Sequence, residues 1–298
     1  MTESNWLLEL AIEAAPRAMD TVRAALEQSS EVLEFQLRTV PELSGLLIVA
    51  YTERQIAAAV FHLRSAVADG YRLGNVQVAC RATPAGSAEA SFAHKSQSGG
   101  SGEFAEVKLR LDPGGRGSGI QFFNDESRGN IRAEWIRSVE KGIRQAAENY
   151  DLLGMPMTDC SVHLVDGKYH DLDSSARAFE LAGAGAFREA ALRAGEKLLE
   201  PIVKVAVAAP AHWLDATVSE LERRDATIDE VSRGSTCVIV ANARMADMLG
   251  FDAALRSKTG GSAAAAMVLH TYEEVSGGGG PDDSQSMAAA LRARPALR

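Results

Sequence analysis

Cysteine is scarce in this sequence, with 3 among 298 residues, namely Cys80, Cys160 and Cys237. They are widely spaced and odd in number, so they indicate neither a disulfide framework nor the cysteine pairs of a zinc site. Buried thiols in a reducing compartment fit this usage better. We therefore expect a cytoplasmic protein.

Long apolar runs and a basic leader are missing as well. The N-terminal stretch MTESNWLLELAIEAAPRAMD carries acids at Glu3 and Glu9 and lacks the positively charged segment that opens a secretory signal. No stretch reaches the roughly 18 apolar residues that a membrane-spanning helix needs. The sequence predicts neither a signal peptide nor contact with a membrane.

Positive charge is in deficit. The chain has 31 Lys and Arg residues against 40 Asp and Glu, a formal net charge of -9. A general nucleic-acid coat neutralises phosphates with Lys and Arg, so this balance disfavours that class but allows a shaped contact with RNA. Hydrophobic content of 46% and charged content of 24% are typical of globular domains. The length suits one large domain or two to three ordinary ones.

One pattern of strands and helices occurs twice. Residues 5–76 read strand, helix, strand, strand, helix, and residues 199–275 repeat that order and add a final strand. This order is the split-βαβ sandwich. Residues 77–198 carry a different α/β pattern, with helices predicted from about Glu134 to Tyr150 and from Ala176 to Ala194. The predicted fold class is α+β, with two sandwiches flanking a central α/β domain.

Two segments are rich in small and polar residues. Residues 81–103, RATPAGSAEASFAHKSQSGGSGE, predict a linker or a long exposed loop. Residues 276–298 begin SGGGGPDDSQ and predict a flexible tail. Gly183 and Gly185 fall inside the second predicted helix, where they would lower its stability unless another backbone comes close.

A phosphate-binding loop of the form G-x-x-x-x-G-K-[ST] does not occur anywhere in the chain. The stretches PGGRGSG and GGGGPDD are rich in glycine, but neither has the lysine or the strand-to-helix context. They predict turns. We expect no bound cofactor.

The stretch VDGKYHDLDSS surrounds a histidine with acids and serines. A metal site would have suitable atoms but no helical H-x-x-x-H frame and no thiolate. A catalytic triad would need a serine at a strained turn, and no G-x-S-x-G is present. A third interpretation, helix capping by Asp171, Asp173 and Ser174, leaves the histidine unexplained. The metal hypothesis uses His163, Asp166, His170 and Asp171, and the triad hypothesis Ser174, His170 and Asp171.

A stripe of basic residues follows one side of the helix predicted at 134–150, consisting of Arg137, Lys141 and Arg144. A solvated helix face is one interpretation, and a set of contacts to RNA is the other.

A series of motifs then becomes recognisable as a whole. In order, they are QSGGSGEFAEVKLRL, FFNDESRGNI, VEKGIRQA, DGKYHDLDSSARAF, AFREA, LLEPIVKV and MLGFDAALRSKTGG. Together they resemble the C-terminal portion of bacterial elongation factor G, with 5–76 similar to domain III, 77–198 to domain IV and 199–275 to domain V. The resemblance implies ferredoxin-like domains III and V around a ribosomal protein S5 domain 2-like domain IV. The family's GTPase domain and the barrel after it have no counterpart in this sequence.

The resemblance also implies an RNA-contacting tip on domain IV, which in the family enters the decoding centre of the small ribosomal subunit. Two loops match the family's tip loops, and His170 takes the place of the tip histidine. We expect His170 to be solvent-accessible and close to the first loop, where it can hydrogen-bond or stack on RNA. By motif match the first loop contributes Gln97, Ser98, Gly99 and Gly100, and the second His170, Asp171, Asp173, Ser174 and Ser175.

Several departures from the family pattern remove charge or change the backbone. Ser101 replaces the arginine usual after the second glycine of the first loop, and Gly260 and Ser262 replace basic residues in the domain V stretch. Arg132 stands where the family has proline. Each lost phosphate contact weakens binding and flattens its salt dependence. The sequence predicts weaker or altered ribosome binding.

Three classes of function follow. The first is a translation-factor-like protein without a GTPase domain that binds the ribosome and its RNA, as competitor or regulator of translocation or as partner of a separate GTPase protein. A fragment of a tetracycline-resistance ribosomal protection protein is a variant of this class. The second is a protein–protein interaction module on the same scaffold. The third is an enzyme that uses His170 with nearby acids.

Overall fold

The computed structural model describes residues 6–40, 45–98, 101–126, 128–148 and 155–275. These divide into two compact units, one formed by residues 6–80 and 200–273 and the other by residues 81–199 with 274–275. The predicted tail at 276–298 and the glycines Gly99 and Gly100 lie outside the described residues. None of the described helices is long and apolar enough to cross a membrane.

The first unit begins with a four-stranded antiparallel sheet and two helices. Its strands follow the order β2-β3-β1-β4, which is the order of a split-βαβ sandwich. In β1, apolar side chains alternate with polar ones, so that Leu8, Leu10 and Ile12 are buried. The elements are β1 (Leu8–Ala14), α1 (Pro16–Leu33), β2 (Gln36–Val40), β3 (Gly45–Ala50), α2 (Glu53–Ala66) and β4 (Tyr71–Val78).

Helix α2 begins at a capping box. The Thr52 side chain accepts a hydrogen bond from the Gln55 backbone N–H over 3.2 Å, and the Gln55 side chain accepts one from the Thr52 N–H over 3.0 Å. The Gln55 and Thr52 backbone N–H groups, which have no partner within the helix, are thereby satisfied, and this fixes where the helix begins.

The second unit contains a mixed four-stranded sheet of order β6-β7-β9-β8, in which β8 and β9 run parallel and the other pairs antiparallel. Helices α3 and α4 supply most of the buried side chains that pack on the sheet. The elements are β5 (Arg81–Pro84), β6 (Ala88–Ser98), β7 (Ser101–Pro113), β8 (Ile120–Asn124), α3 (Ala133–Glu148), β9 (Cys160–Lys168) and α4 (Ala176–Ala194).

Helices α3 and α4 approach each other closely because glycine occurs on both. A Cβ atom on Gly142 of α3 would overlap the Glu180 carbonyl oxygen of α4, and one on Gly183 would lie 2.8 Å from the Val139 carbonyl oxygen. Backbone on each helix therefore fills the space that a side chain would need on the other.

The chain then returns to the split-βαβ order. Strand β10 pairs with β5 near Leu198, and its later part enters a sheet of order β11-β12-β10-β13. The buried side chains of this sheet join those of the first sheet in one hydrophobic cluster. The elements are β10 (Glu196–Pro210), a 3-10 turn (Ala211–Trp213), α5 (Leu214–Glu222), β11 (Thr227–Ser232), β12 (Thr236–Arg244), α6 (Met245–Met248), α7 (Phe251–Thr259) and β13 (Ala264–Glu274).

The linker predicted at residues 81–103 was wrong. This segment forms β5, β6 and the start of β7, and β6 pairs with β7 from Ala88 opposite Leu111 to Ser98 opposite Ser101. Small side chains misled the prediction because Ala90 is buried by close packing although it is short. Composition indicates a linker only where no partner strand is available.

Candidate functional site

The turn of the β6–β7 hairpin carries the first predicted loop. Gln97 lies opposite Gly102, and Ser98 lies opposite Ser101. For Gln97 and Ser98 the backbone is described, and Gly99 and Gly100 lie outside the described residues. The hairpin therefore places Gln97 at its far end, five residue pairs beyond Phe92 and Val107.

The second predicted loop is KYHDLDSS, residues 168–175, and its residues 169–175, which follow β9, are called the tip loop here. It lies against the start of β7. The Phe104 backbone N–H donates a hydrogen bond to the Asp173 carbonyl oxygen over 2.8 Å, and the Ser174 hydroxyl donates one to the Phe104 carbonyl oxygen over 2.6 Å. Because Phe104 is two residues beyond the partner of Gln97, the tip loop lies beside the hairpin end.

The tip loop is also closed on itself. The backbone N–H groups of Asp173 and Ser174 donate to the His170 carbonyl oxygen over 3.3 and 3.0 Å. The Ser174 hydroxyl accepts a hydrogen bond from the His170 N–H over 2.9 Å. Five of the loop's backbone or hydroxyl groups are thus used within the unit, which limits the conformations that the loop can adopt.

Ser175 caps the helix that follows. Its side chain accepts a hydrogen bond from the Ala178 N–H over 3.1 Å, and its extended backbone is that of an N-cap residue. The capping role predicted for Asp171, Asp173 and Ser174 was wrong in its residues. Ser174 is engaged by Phe104, Asp173 by His170, and Asp171 by Arg132.

His170 is 60% exposed at its side chain, and its Nδ1 lies 3.1 Å from an Asp173 carboxylate oxygen. The carboxylate fits there because Gly102 has no side chain: a Cβ at that position would lie 3.1 Å from Asp173 Cγ. An exposed ring held through one nitrogen can hydrogen-bond with the other nitrogen and can stack on a base. Leu172, between the two acids, is 88% exposed.

Three residues that the sequence patterns did not single out as site residues, together with the predicted Asp171, hold the tip loop to the start of α3. They form one group, called the Arg132 cluster here, which joins the start of α3 to the loop. The only signal for it in the sequence was an arginine at the position where the resemblance implies proline, three residues before a tryptophan. The Arg132 cluster consists of Arg132, Trp135, Tyr169 and Asp171.

Two of the cations around the tip are paired with acids of the same unit, and a third lies over an aromatic ring. Lys168 lies 2.8 Å from Glu106, and this hydrogen bond raises the pKa of Lys168. Arg132 lies 2.8 Å from Asp171. Lys95 lies over the Phe104 ring at 5.7 Å. Lys168 and Arg132 are thus already partly neutralised by carboxylates.

The basic stripe on α3 is divided between ion pairs and solvent. Lys141 lies 2.8 Å from Glu180, and Arg144 lies 2.8 Å from Glu140. Arg137 is exposed. Two of the three predicted RNA contacts are therefore bonded within the unit.

The residues of the metal and triad hypotheses are not assembled as those hypotheses require. His163 pairs with Asp125 at 2.8 Å, whereas His170 pairs with Asp173, and Asp166 accepts a hydrogen bond from the Asn130 side chain at 2.9 Å. Within the described ranges, no group of three or more His, Cys, Asp and Glu residues is arranged to hold a metal ion. The Ser174 hydroxyl contacts backbone groups and not the His170 ring.

Comparison with known proteins gives two family matches and close relatives. Residues 76–195 match the model for elongation factor G, domain IV, and residues 197–278 match the elongation factor G C-terminus. The elongation factor G of Granulibacter bethesdensis is 37% identical over 270 residues, which are 90% of this chain. That of a Jannaschia species is 36% identical over 276 residues, which are 92% of this chain.

A solved structure agrees in fold. A crystal structure of a protein from Thermus thermophilus has a TM-score of 0.70 and 27% sequence identity, covering 98% of this chain and 43% of its own. The chain spans 39% of the length of each of the two curated relatives. The predicted resemblance to the C-terminal half of this family and the α+β fold class are confirmed.

Proposed function

Because the chain belongs to the elongation factor G family through its domain IV and C-terminal regions, we propose that it binds the ribosome through the tip of domain IV. The binding surface is the end of the β6–β7 hairpin together with the tip loop. The resemblance implies the decoding region of the small subunit as the target, with ribosomal RNA as the contacted surface.

One observation carries this proposal. Two segments 70 residues apart are joined by the hydrogen bonds of Ser174 and Phe104, and the join leaves the His170 ring 60% exposed. A histidine with a structural role would be buried with both ring nitrogens bonded. Here the backbone and the serine order the loop, and the exposed ring, which contacts Asp173 through Nδ1, can contact a partner through its face and its other nitrogen.

The family regions that are matched support a proposal about the role on the ribosome. The chain contains no G-x-x-x-x-G-K-[ST] loop, and neither matched region is a GTP-binding domain. We propose that it competes with elongation factor G for the decoding region and so regulates translocation, or that it works with a separate GTPase protein. In both cases the described units supply contact and no bond-breaking step.

A second function is favoured by the charge pairing at the tip. Lys168 and Arg132 are each within 2.8 Å of a carboxylate oxygen, so neither is a free phosphate contact. A protein partner would tolerate this neutralised surface better than RNA does. The second candidate is therefore a protein–protein interaction module on the same scaffold.

The deciding experiment is co-sedimentation of the purified chain with isolated small subunits, large subunits and whole ribosomes. We expect binding to small subunits and whole ribosomes, and displacement by full-length elongation factor G. His170→Ala should weaken binding by about 5- to 150-fold, the range for losing one stacked base. His270→Ala, which removes an exposed histidine of β13, is the matched control.

Each outcome has a clear meaning. Loss of binding in His170→Ala but not in His270→Ala supports the tip as the contact surface. Failure of the wild-type chain to sediment with any ribosomal particle would rule out the ribosomal proposal, and the interaction module would take its place.

A further inference from the structure

Arg132 contacts the tip loop on both sides of His170. Its Nη2 lies 2.8 Å from Asp171 Oδ1, and its guanidinium carbon lies 5.1 Å from the centre of the Tyr169 ring. Tyr169 and Asp171 are the immediate sequence neighbours of His170. One side chain from outside the loop therefore holds the two residues that flank the proposed contact residue.

The other side of Arg132 is anchored in the core. The guanidinium carbon lies 5.0 Å from the centre of the Trp135 ring, and that ring stacks on Phe179 with centroids 4.9 Å apart. Phe179 is fully buried and Trp135 nearly so. A rigid line of contacts thus runs from the core of the unit through Trp135 and Arg132 to the tip loop.

The interaction is more than an exposed ion pair. Asp171 is 76% exposed at its side chain, and an exposed pair alone contributes little. Arg132 also contacts two aromatic rings. Its hydrogen bond with Tyr169 and, to a smaller extent, the one with Asp171 raise the pKa of the Arg132 guanidinium. A planar guanidinium makes these contacts together, which a lysine ammonium does not, and a proline at this position would make none.

We propose that Arg132 is a positioning residue that fixes the tip loop so that His170 is presented outward before any partner binds. Such preorganisation lowers the entropy lost on binding. The effect on ribosome affinity rests on the function proposed above, but the ordering of the loop is a property of the free protein and can be measured without a partner.

The first arm of the test measures amide hydrogen exchange in the free chain. The N–H groups of His170, Asp173, Ser174 and Phe104 report on the loop because each is hydrogen-bonded within it or to it. We expect Arg132→Ala to speed their exchange by about tenfold or more, and Arg132→Lys to give an intermediate value. Lys108→Ala, which breaks the exposed pair with Glu89, should leave these amides unchanged.

The second arm is a double-mutant cycle in ribosome binding. If Arg132 acts through His170, Arg132→Ala weakens binding in the wild-type background and has little effect in the His170→Ala background. If Arg132 instead contacts RNA itself, the two losses in affinity multiply. If the free energies lost in the two single variants add up in the double variant, the positioning role is overturned, even though Arg132→Ala by itself weakens binding.

The two arms separate failure of this inference from failure of the proposed function. Should the wild-type chain not bind ribosomes, the exchange arm still decides whether Arg132 orders the loop. Unchanged exchange in a folded Arg132→Ala protein would refute the inference. Should Arg132→Ala not fold, Asp171→Ala removes the same ion pair from the exposed side. If amide exchange in the tip loop is that of the wild type in both Asp171→Ala and Arg132→Lys, the inference is refuted as well.

Discussion

The Ser174 hydroxyl donates a hydrogen bond to the Phe104 carbonyl oxygen over 2.6 Å and accepts one from the His170 N–H over 2.9 Å. One hydroxyl group therefore fastens the tip loop to β7 and closes the loop on itself. Together with the hydrogen bond from the Phe104 N–H to the Asp173 carbonyl oxygen, this join fixes the relationship of the two predicted loops, on which the proposed contact surface depends.

Replacing Ser174 with Ala tests the join. The Phe104 carbonyl would lose a hydrogen bond at a half-buried site and the His170 N–H would lose one at an exposed site, so we expect the free energy of unfolding to fall by about 1–3 kcal/mol. Urea denaturation measures this change. Ser65→Ala is the control, since the Ser65 hydroxyl bonds only to the Phe61 carbonyl on an exposed helix surface, and it should change stability by less than about 0.5 kcal/mol. Equal stability of the two variants would show that the join is weak.

Gly142→Ala tests the close approach of α3 and α4. Its Cβ would meet the Glu180 carbonyl oxygen, which belongs to a helix backbone and cannot move independently. We expect a loss of more than about 2 kcal/mol in the free energy of unfolding, despite the better helix propensity of alanine. At Gly115 a Cβ meets nothing within 4 Å, so Gly115→Ala should be nearly neutral. A stable Gly142→Ala protein would mean that the helices can separate at little cost.

The two glycines of α4 show what the sequence could predict about packing. At Gly183 the expected close approach of another backbone is confirmed by the Val139 carbonyl oxygen. At Gly185 the neighbour is the Phe92 ring of β6, so that the glycine makes room for a side chain. A glycine inside a helix indicates crowding, but its sequence context does not tell which group comes close.

Strand β6 and the Arg132 cluster could not be predicted from the sequence, because both depend on tertiary contacts. The small residues of β6 give a weak strand pattern, and the strand is stabilised by pairing with β7 and by contact with α4, which are tertiary effects. Arg132 meets Tyr169 across 37 positions of sequence only because α3 and the tip loop lie on neighbouring elements. By contrast, the two split-βαβ orders were readable from local patterns, except for β4, the last strand of the first one, which the sequence did not predict.

The lowered pKa of Glu220 predicts how the free energy of unfolding depends on pH. Burial alone would raise the pKa of its carboxyl, but hydrogen bonds from Arg223, Lys258 and Arg224 outweigh burial and lower the pKa to about 2. The unfolded value is about 4.3. Because the folded pKa is the lower one, this contribution is complete above about pH 5 and is lost as the pH falls towards 2. It amounts to roughly 3 kcal/mol.

The test compares the free energy of unfolding between pH 7 and pH 2 for the wild type and Glu220→Gln. We expect the variant to be less stable at pH 7, since three cations lose a buried carboxylate, and to show a flatter decline with acid. Glu222→Gln, an exposed neighbour on the same helix, should retain the wild-type profile. A wild-type decline in Glu220→Gln would assign the acid sensitivity to other groups.

Nucleotide binding by this chain alone is not expected. No segment has the glycine-rich loop and lysine that cradle phosphates. Titration with a fluorescent GTP analogue should show no saturable binding, and adding elongation factor G provides the positive control. Saturable binding by the purified chain would contradict the assignment of its domains to the non-GTPase part of the family.

The ion pair between Lys168 and Glu106 leads to a prediction about how binding to small ribosomal subunits depends on salt concentration. Each phosphate contact made by a cation steepens the fall of log affinity with log salt by about 0.7–0.9. Since Lys168 lies 2.8 Å from the Glu106 carboxylate, it should contribute little to RNA binding in the wild type. Glu106→Gln removes the carboxylate and frees the ammonium at the end of β9. Binding to small ribosomal subunits should then tighten at low salt, with a slope steeper by about 0.7–0.9.

Glu89→Gln frees Lys108 by the same chemistry further from the tip loop and should leave the slope unchanged. An unchanged slope in Glu106→Gln would place Lys168 away from any phosphate, whereas equal steepening in both variants would mean that RNA binds the sheet surface and not the tip.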